Sequence, residues 1–209
     1  NHPSLEFFHD TENSISEDDI YNILRNRTSF EAFWKEITRV SLAKVEKKTF
    51  KRYWDSRLAE IDFHYGLVLI KQGTVREAIK SFEKAIQFNP TLINAHFHLG
   101  NAFLQEQKNQ EAILHLRKAI MLNPDHGDAH NNLGIVLLRE QKTEEAIFHF
   151  QIAVKRNPGS ASIYNNLGTV MFRQGMIEEA VTYYKEAIRI QPDFAAAQKN
   201  LEAAIIQSS

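Results

Sequence analysis

Three kinds of side chain in this sequence could do chemistry: nine histidines, a glutamate that returns every 34 residues, and asparagines at the same interval. Histidines first suggest a metal. His96 and His98 are two residues apart, so on one helix they diverge by about 200° and cannot share an ion. His130 follows His126 by four, but His126 falls in a turn. His115 and His149 are placed to stack between neighbouring structural units. No HExxH motif or convergent acid pair accompanies any of them, so no metal and no cofactor is expected. Glu77, Glu111, Glu145 and Glu179 stand singly along a regular surface, whereas catalytic carboxylates face each other in pairs. Cysteine is absent, which removes thiolate chemistry and disulfides. No phosphate loop, dinucleotide fingerprint or nucleophile elbow occurs. The sequon Asn26-Arg27-Thr28 is short enough to arise by chance. An enzyme is therefore not expected. The asparagines remain: Asn132, Asn166 and Asn200 are evenly spaced, and an amide offers both donors and an acceptor to any peptide unit.

The interval itself shows what must position these groups. Rows of 34 starting at Ala59, Ile93, Gly127 and Ala161 align the chain. Position eight is Gly66, Gly100, Gly134 and Gly168; position twenty is Ala78, Ala112, Ala146 and Ala180. Position twenty-four is Phe82, Leu116, Phe150 and Tyr184; position twenty-seven is always Ala, and position thirty-two always Pro. Within each row apolar residues recur twice at helical spacing, giving two amphipathic helices, here A and B. Gly73 and Gly175 suit the end of helix A, and the proline ends helix B. Glycine inside a helix costs about 1 kcal/mol relative to alanine, so its recurrence at position eight implies close helix packing, with the position-twenty alanine opposite and the larger position-twenty-four side chain filling the adjoining space. One such pair cannot bury its apolar faces alone; stacking makes a solenoid. After Pro192, Ala197, Leu201 and Ile205 have core spacing and read as a capping helix or a further first helix.

These positions resemble the tetratricopeptide-repeat family over residues 59–209. The resemblance implies an all-α, right-handed superhelical α-solenoid of four helix–turn–helix repeats: 59–92, 93–126, 127–160 and 161–194, with a capping helix at 195–209. Two departures stand out. Position four, often Trp in the family, is Asp62, His96, His130 and Tyr164, and position fifteen is Gln107 and Gln141 in the middle repeats. The resemblance further implies a concave groove on the A helices. It would carry Phe63, His64, Leu67 and Lys71 from the first repeat, and Asn94, Phe97, His98, Asn101 and Gln105 from the second. The third supplies Asp128, Asn131, Asn132, Ile135 and Arg139; the fourth, Ser162, Asn165, Asn166, Thr169 and Arg173; the cap, Asn200. Asn132, Asn166 and Asn200 are similar to the asparagine ladder of the nucleocytoplasmic GlcNAc transferase repeats, with self-bonding amides as the alternative. The family's dicarboxylate clamp is not met, because Phe97, Ser162 and Asn166 occupy its basic positions.

The function this implies is a non-catalytic scaffold that binds an extended peptide or partner protein in its groove. The alternatives are a substrate-recruiting module of a larger, glycosyltransferase-like enzyme, and a self-assembling scaffold that associates through N-terminal helices or end to end. Nucleic acid is not an expected partner, since 25 basic residues are set against 26 acidic ones. No apolar run is long enough for membrane insertion. The chain opens on Asn1, leaving an upstream signal or anchor open; a cytoplasmic setting is the expectation. Residues 1–58 do not fit the repeat. Residues 1–15 read as a mobile arm, and 16–58 as a helical segment with capping boxes at Ser16/Asp19 and Thr28/Glu31. Its many aromatics suit either a cap on the first repeat or an interaction element.

Overall fold

The computed structural model describes residues 44–208, with side-chain surroundings from residue 51 onward except Tyr53. The expected arm over residues 1–15 and the part of the helical segment over residues 16–43, with both its capping boxes, lie outside the described residues. Every regular element among the described residues is an α-helix. They run α1 (Lys44–Lys71), α2 (Val75–Phe88), α3 (Ile93–Gln105), α4 (Asn109–Leu122), α5 (Gly127–Arg139), α6 (Thr143–Arg156), α7 (Ala161–Arg173), α8 (Ile177–Ile190) and α9 (Ala195–Ser208). Each packs chiefly on its neighbours in sequence, as a solenoid requires. Helix α1 has 28 residues, about 42 Å, against 13 or 14 for each of the others. It runs uninterrupted through residue 59, because no Gly or Pro stands between Ser29 and Tyr65 to break it.

Both kinds of turn have a local cause. After helix A, the backbone closes with paired bonds: Thr74 N–H to Leu69 O and Gly73 N–H to Ile70 O, each 3.0 Å. That geometry needs a left-handed residue, and Gly73 and Gly175 take it at φ of 78° and 77°. Gln107 and Gln141 are held in the same region at φ 59°, with the equivalent bonds intact. After helix B, the cap amide Asn89 Oδ1 accepts from Thr91 N–H at 3.1 Å and Asn123 Oδ1 from Asp125 N–H at 3.1 Å, turning the chain past the proline.

The core explains the glycines differently from the sequence expectation. It is the position-twenty-four side chain, rather than the alanine at twenty, that lies directly on the glycine. A Cβ on Gly100, Gly134 or Gly168 would come within 2.7–2.8 Å of Leu116, Phe150 or Tyr184. Phe82 lies on Gly66 in the same way. These side chains are fully buried, as are the alanines at positions twenty and twenty-seven. In the two middle repeats the family's frequent Trp at position four is replaced by a histidine couple with position twenty-three of the same repeat. His96 Nδ1 meets His115 Nδ1 at 3.1 Å, and His130 Nδ1 meets His149 Nδ1 at 2.9 Å. The histidines thus pair within a repeat and not between repeats. His96 Nε2–H donates to Pro90 O and His130 Nε2–H to Pro124 O, both 3.1 Å. A carbonyl only accepts, so the facing Nδ1 of His96 and His130 are acceptors, and His115 and His149 supply the proton. Burial lowers all four; His115 and His149 fall to about 4, helped by the neighbouring imidazole. Among the described residues no cluster of three ligating side chains could hold a metal.

In α9, Ala197 and Ala204 are buried and Leu201 half-buried, while Ile205 is 48% exposed. The inward residue is 204 because seven steps of 100° return to nearly the same face, and eight do not. The position-eight glycine of the repeats is here Glu202, which is exposed.

Candidate partner-binding groove

The groove residues come from successive A helices, and each is placed by its offset from the buried glycine. Toward the first repeats the wall is aromatic. Phe97 lies 5.1 Å from His98 and 4.6 Å from His126, between ring centres. His98 in turn lies 5.5 Å from Phe63 and stacks on Phe82 at 5.9 Å. Phe63 is only 7% exposed, so it supports this wall from beneath and offers no contact surface to a partner. His98 is held neutral: burial lowers its pKa, and His126 lowers it further. His64 and Asn94 are exposed on either side.

Toward the last repeats the wall is built of amides, and they bond one another. Asn166 Nδ2 donates to Asn131 Oδ1 at 3.1 Å, Asn131 Nδ2 to Asn132 Oδ1 at 3.0 Å, and Asn132 Nδ2 to Asn101 Oδ1 at 2.7 Å. This file crosses three repeats. One turn further along, Asn200 Nδ2 donates to Asn165 Oδ1 at 2.9 Å and approaches Thr169 Oγ1 at 3.5 Å. The rule is that position six reaches back to position five of the preceding repeat. In the second repeat position five is Phe97, which cannot accept, so Asn132 turns to Asn101 at position nine. Asn131 is buried at 9% exposure, whereas Asn101, Asn132, Asn165, Asn166, Thr169 and Asn200 are half-buried.

The charged positions lie at the edges. Arg139 Nη1 donates to Leu104 O at 3.3 Å, and Asp128 Oδ1 accepts from Asn157 Nδ2 at 3.2 Å. Arg139, Arg173 and Asp128 are exposed. Two residues not expected from the sequence join the site. His126 caps α5 by accepting from Ala129 N–H at 3.3 Å, which presents its ring to Phe97. Its place immediately before Gly127 was the available signal. Tyr184, buried in the core, donates to Thr169 Oγ1 at 3.3 Å, and Thr169 donates to Asn165 O at 2.8 Å. Only the extra hydroxyl of Tyr against Phe distinguishes it at position twenty-four.

Two amphipathic helices per 34 residues, glycine under a large side chain, and a concave face of polar groups define a repeat-built interaction module. Family models described as "Tetratricopeptide repeat" and "TPR repeat" match residues 125–193, and residues 66–107 and 100–141. The chain belongs to the tetratricopeptide-repeat family, whose members bind protein or peptide partners and are typically non-catalytic. Among solved structures, MamA is 25% identical at a TM-score of 0.64, covering 88% of this chain and 99% of that one. YrrB, described as a TPR protein with an unusual peptide-binding site, is 21% identical at a TM-score of 0.63, covering 72% and 77%. PilF of Pseudomonas aeruginosa is 20% identical at 0.67, covering 74% and 70%. No curated protein matches the chain in sequence. No helix among the described residues is long and apolar enough to cross a membrane.

Proposed function

We propose that the concave face of the A helices holds an extended segment of a partner protein. Its backbone lies along the amide file, and its apolar side chains rest on the Phe97–His98 wall. The observation that carries this reading is the hydrogen-bond count within the file. Asn132 uses one N–H on Asn101 and one lone pair for Asn131. A primary amide has two of each, so every link keeps a donor or acceptor for a passing peptide unit. The neutral aromatic wall beside it takes apolar side chains without desolvating a charge. The same arrangement on a fold shared with YrrB, which is described as peptide-binding, supports the reading.

Replacing Asn132 and Asn166 together by Ala removes two amides and with them all three hydrogen bonds of the file. Affinity for a peptide selected from a random display library is expected to fall by about 1–3 kcal/mol. Unchanged affinity, with helicity intact by circular dichroism, refutes the reading.

A further inference from the structure

Five large apolar side chains are exposed among the described residues. Ile205 and Ile206 belong to α9. The other three, Leu114, Met121 and Phe148, stand on the outer face of α4 and α6, at 64%, 63% and 57% exposure. They depart from the repeat. Positions twenty-two and twenty-nine are Lys80 and Gln87 in the first repeat and Thr182 and Arg189 in the last, all polar and exposed. In the middle repeats the same positions are Leu114 and Met121, then Phe148 and Lys155. A face that meets only water has no cause to turn apolar in two repeats of four. Neither helix supplies a groove residue, so peptide binding does not account for the patch. Arg117 Nη2 donates to Glu145 Oε1 and ties α4 and α6 side by side.

The charges beside the patch say what covers it. The outer stripe of α6 is Glu144, Phe148, Gln151 and Lys155, all exposed and spaced to share one helix face. This stripe is its own complement when reversed. With two copies of α6 antiparallel, Glu144 of each comes level with Lys155 of the other. Phe148 then lies about 4.5 Å along the axis from its counterpart, within reach of an aromatic contact. The stripe of α4 is Gln110, Leu114, Arg117 and Met121. Reversed at the same level, it sets Arg117 against Leu114 and Met121 against Gln110, so no like charges are opposed. Antiparallel helices also oppose their dipoles.

We propose that the occupant is a second copy of this chain, placed by a two-fold axis that lays α4 and α6 antiparallel on α4 and α6 of the partner subunit. A two-fold contact uses one patch twice, so self-complementarity is the property it requires. The patch is small. Two helices of 14 residues, each about 21 Å long and about 10 Å wide, offer roughly 400 Å² per subunit. A standard stable interface takes about 800 Å² per partner, so the dimer is weak, with a Kd of roughly tens of micromolar. Paired in this way, the particle carries two grooves, one on each copy.

Sedimentation equilibrium of the full chain, from about 1 to about 200 µM, tests this across the expected Kd. The expected result is a reversible monomer–dimer equilibrium. Leu114→Ser with Phe148→Ser should weaken it at least about tenfold. Glu144→Lys alone, or Lys155→Glu alone, opposes like charges twice per dimer and should weaken it about tenfold. The two charge changes together should restore it to within about threefold. Glu144 and Lys155 lie about 16 Å apart along α6, too far to pair within one chain, so that rescue reports a contact between copies. All the substituted residues are exposed, and circular dichroism checks that helicity is kept. A monomer at every concentration overturns the inference and leaves the patch to an unlike partner. A dimer that ignores the serine changes, or that the paired charge reversal fails to restore, overturns it as well, because association then uses another surface.

Discussion

The two middle repeats and the two outer ones share a backbone but differ wherever the repeat is polar. At the A-to-B turn, the outer repeats use Gly73 and Gly175, while the middle ones force Gln107 and Gln141 into the same left-handed geometry. At positions four and twenty-three, the first repeat has Asp62 and Ser81, both buried, and the last has Tyr164 and Tyr183, 6.4 Å apart. The middle repeats hold hydrogen-bonded imidazole couples instead. The lesson is that the solenoid tolerates almost any chemistry between the two helices of a repeat, provided the glycine under position twenty-four is kept.

The largest expected effect tests that proviso. Gly134→Val in a middle repeat and Gly168→Val in an outer one should each destabilise by about 3 kcal/mol, since Phe150 and Tyr184 occupy the space of the new side chain. Urea unfolding of both variants checks this. A loss confined to one of them would break the claim that the regions share one packing rule.

A smaller effect separates the regions by pH. Burial holds His115 and His149 to about 4, against about 6.5 in an unfolded chain. Between those values the unfolded chain binds more protons, so stability falls as pH drops from about 6.5 toward 4. Each middle couple should contribute about 1–3 kcal/mol to that loss. His130→Tyr with His149→Tyr, which copies the fourth repeat, should flatten the slope between pH 6.5 and 5, where carboxylates add little. An unchanged slope in thermal melts would assign the pH dependence elsewhere.

The smallest effect concerns the turns. Gln107→Gly and Gln141→Gly should each stabilise by up to about 1 kcal/mol by relieving the left-handed side chain. Gly73→Ala and Gly175→Ala should lose a similar amount. Chemical denaturation of the four single variants would show two opposite signs. A common sign would mean that the glutamine side chains hold their turns by contacts of their own.

The sequence made the helices legible because periodicity reports which face is buried. Gly, Ala and Pro repeat at fixed intervals, and each interval has a packing cause. Contacts that depend on which of two nearby partners a side chain chooses were not legible in this way. His115 was expected to stack on the next repeat and instead meets His96, nineteen residues earlier, a separation no helical period reveals. The amides stand on the A helices and bond one another, the alternative the sequence had offered, but the turn of Asn132 to Asn101 follows from Phe97 lacking an acceptor and was not legible. Phe63 was assigned to the groove by offset alone, but it lies buried beneath His98, whereas Phe97 at the same position of the next repeat stays half-exposed on the wall. The long α1 was missed as a unit because a row boundary was drawn where the repeat starts, not where the helix does.

Glu202 carries a consequence for how such an array can be lengthened. Helix α9 presents a glutamate where every A helix presents a glycine, so a B helix bearing Phe, Leu or Tyr at position twenty-four has no seat on it. A duplicated pair spliced in between α8 and α9 would find a matching surface on both sides. A single B helix appended directly after α9 would instead meet Glu202 in the space its position-twenty-four anchor requires. The array therefore has a preferred point of insertion, one helix before its last.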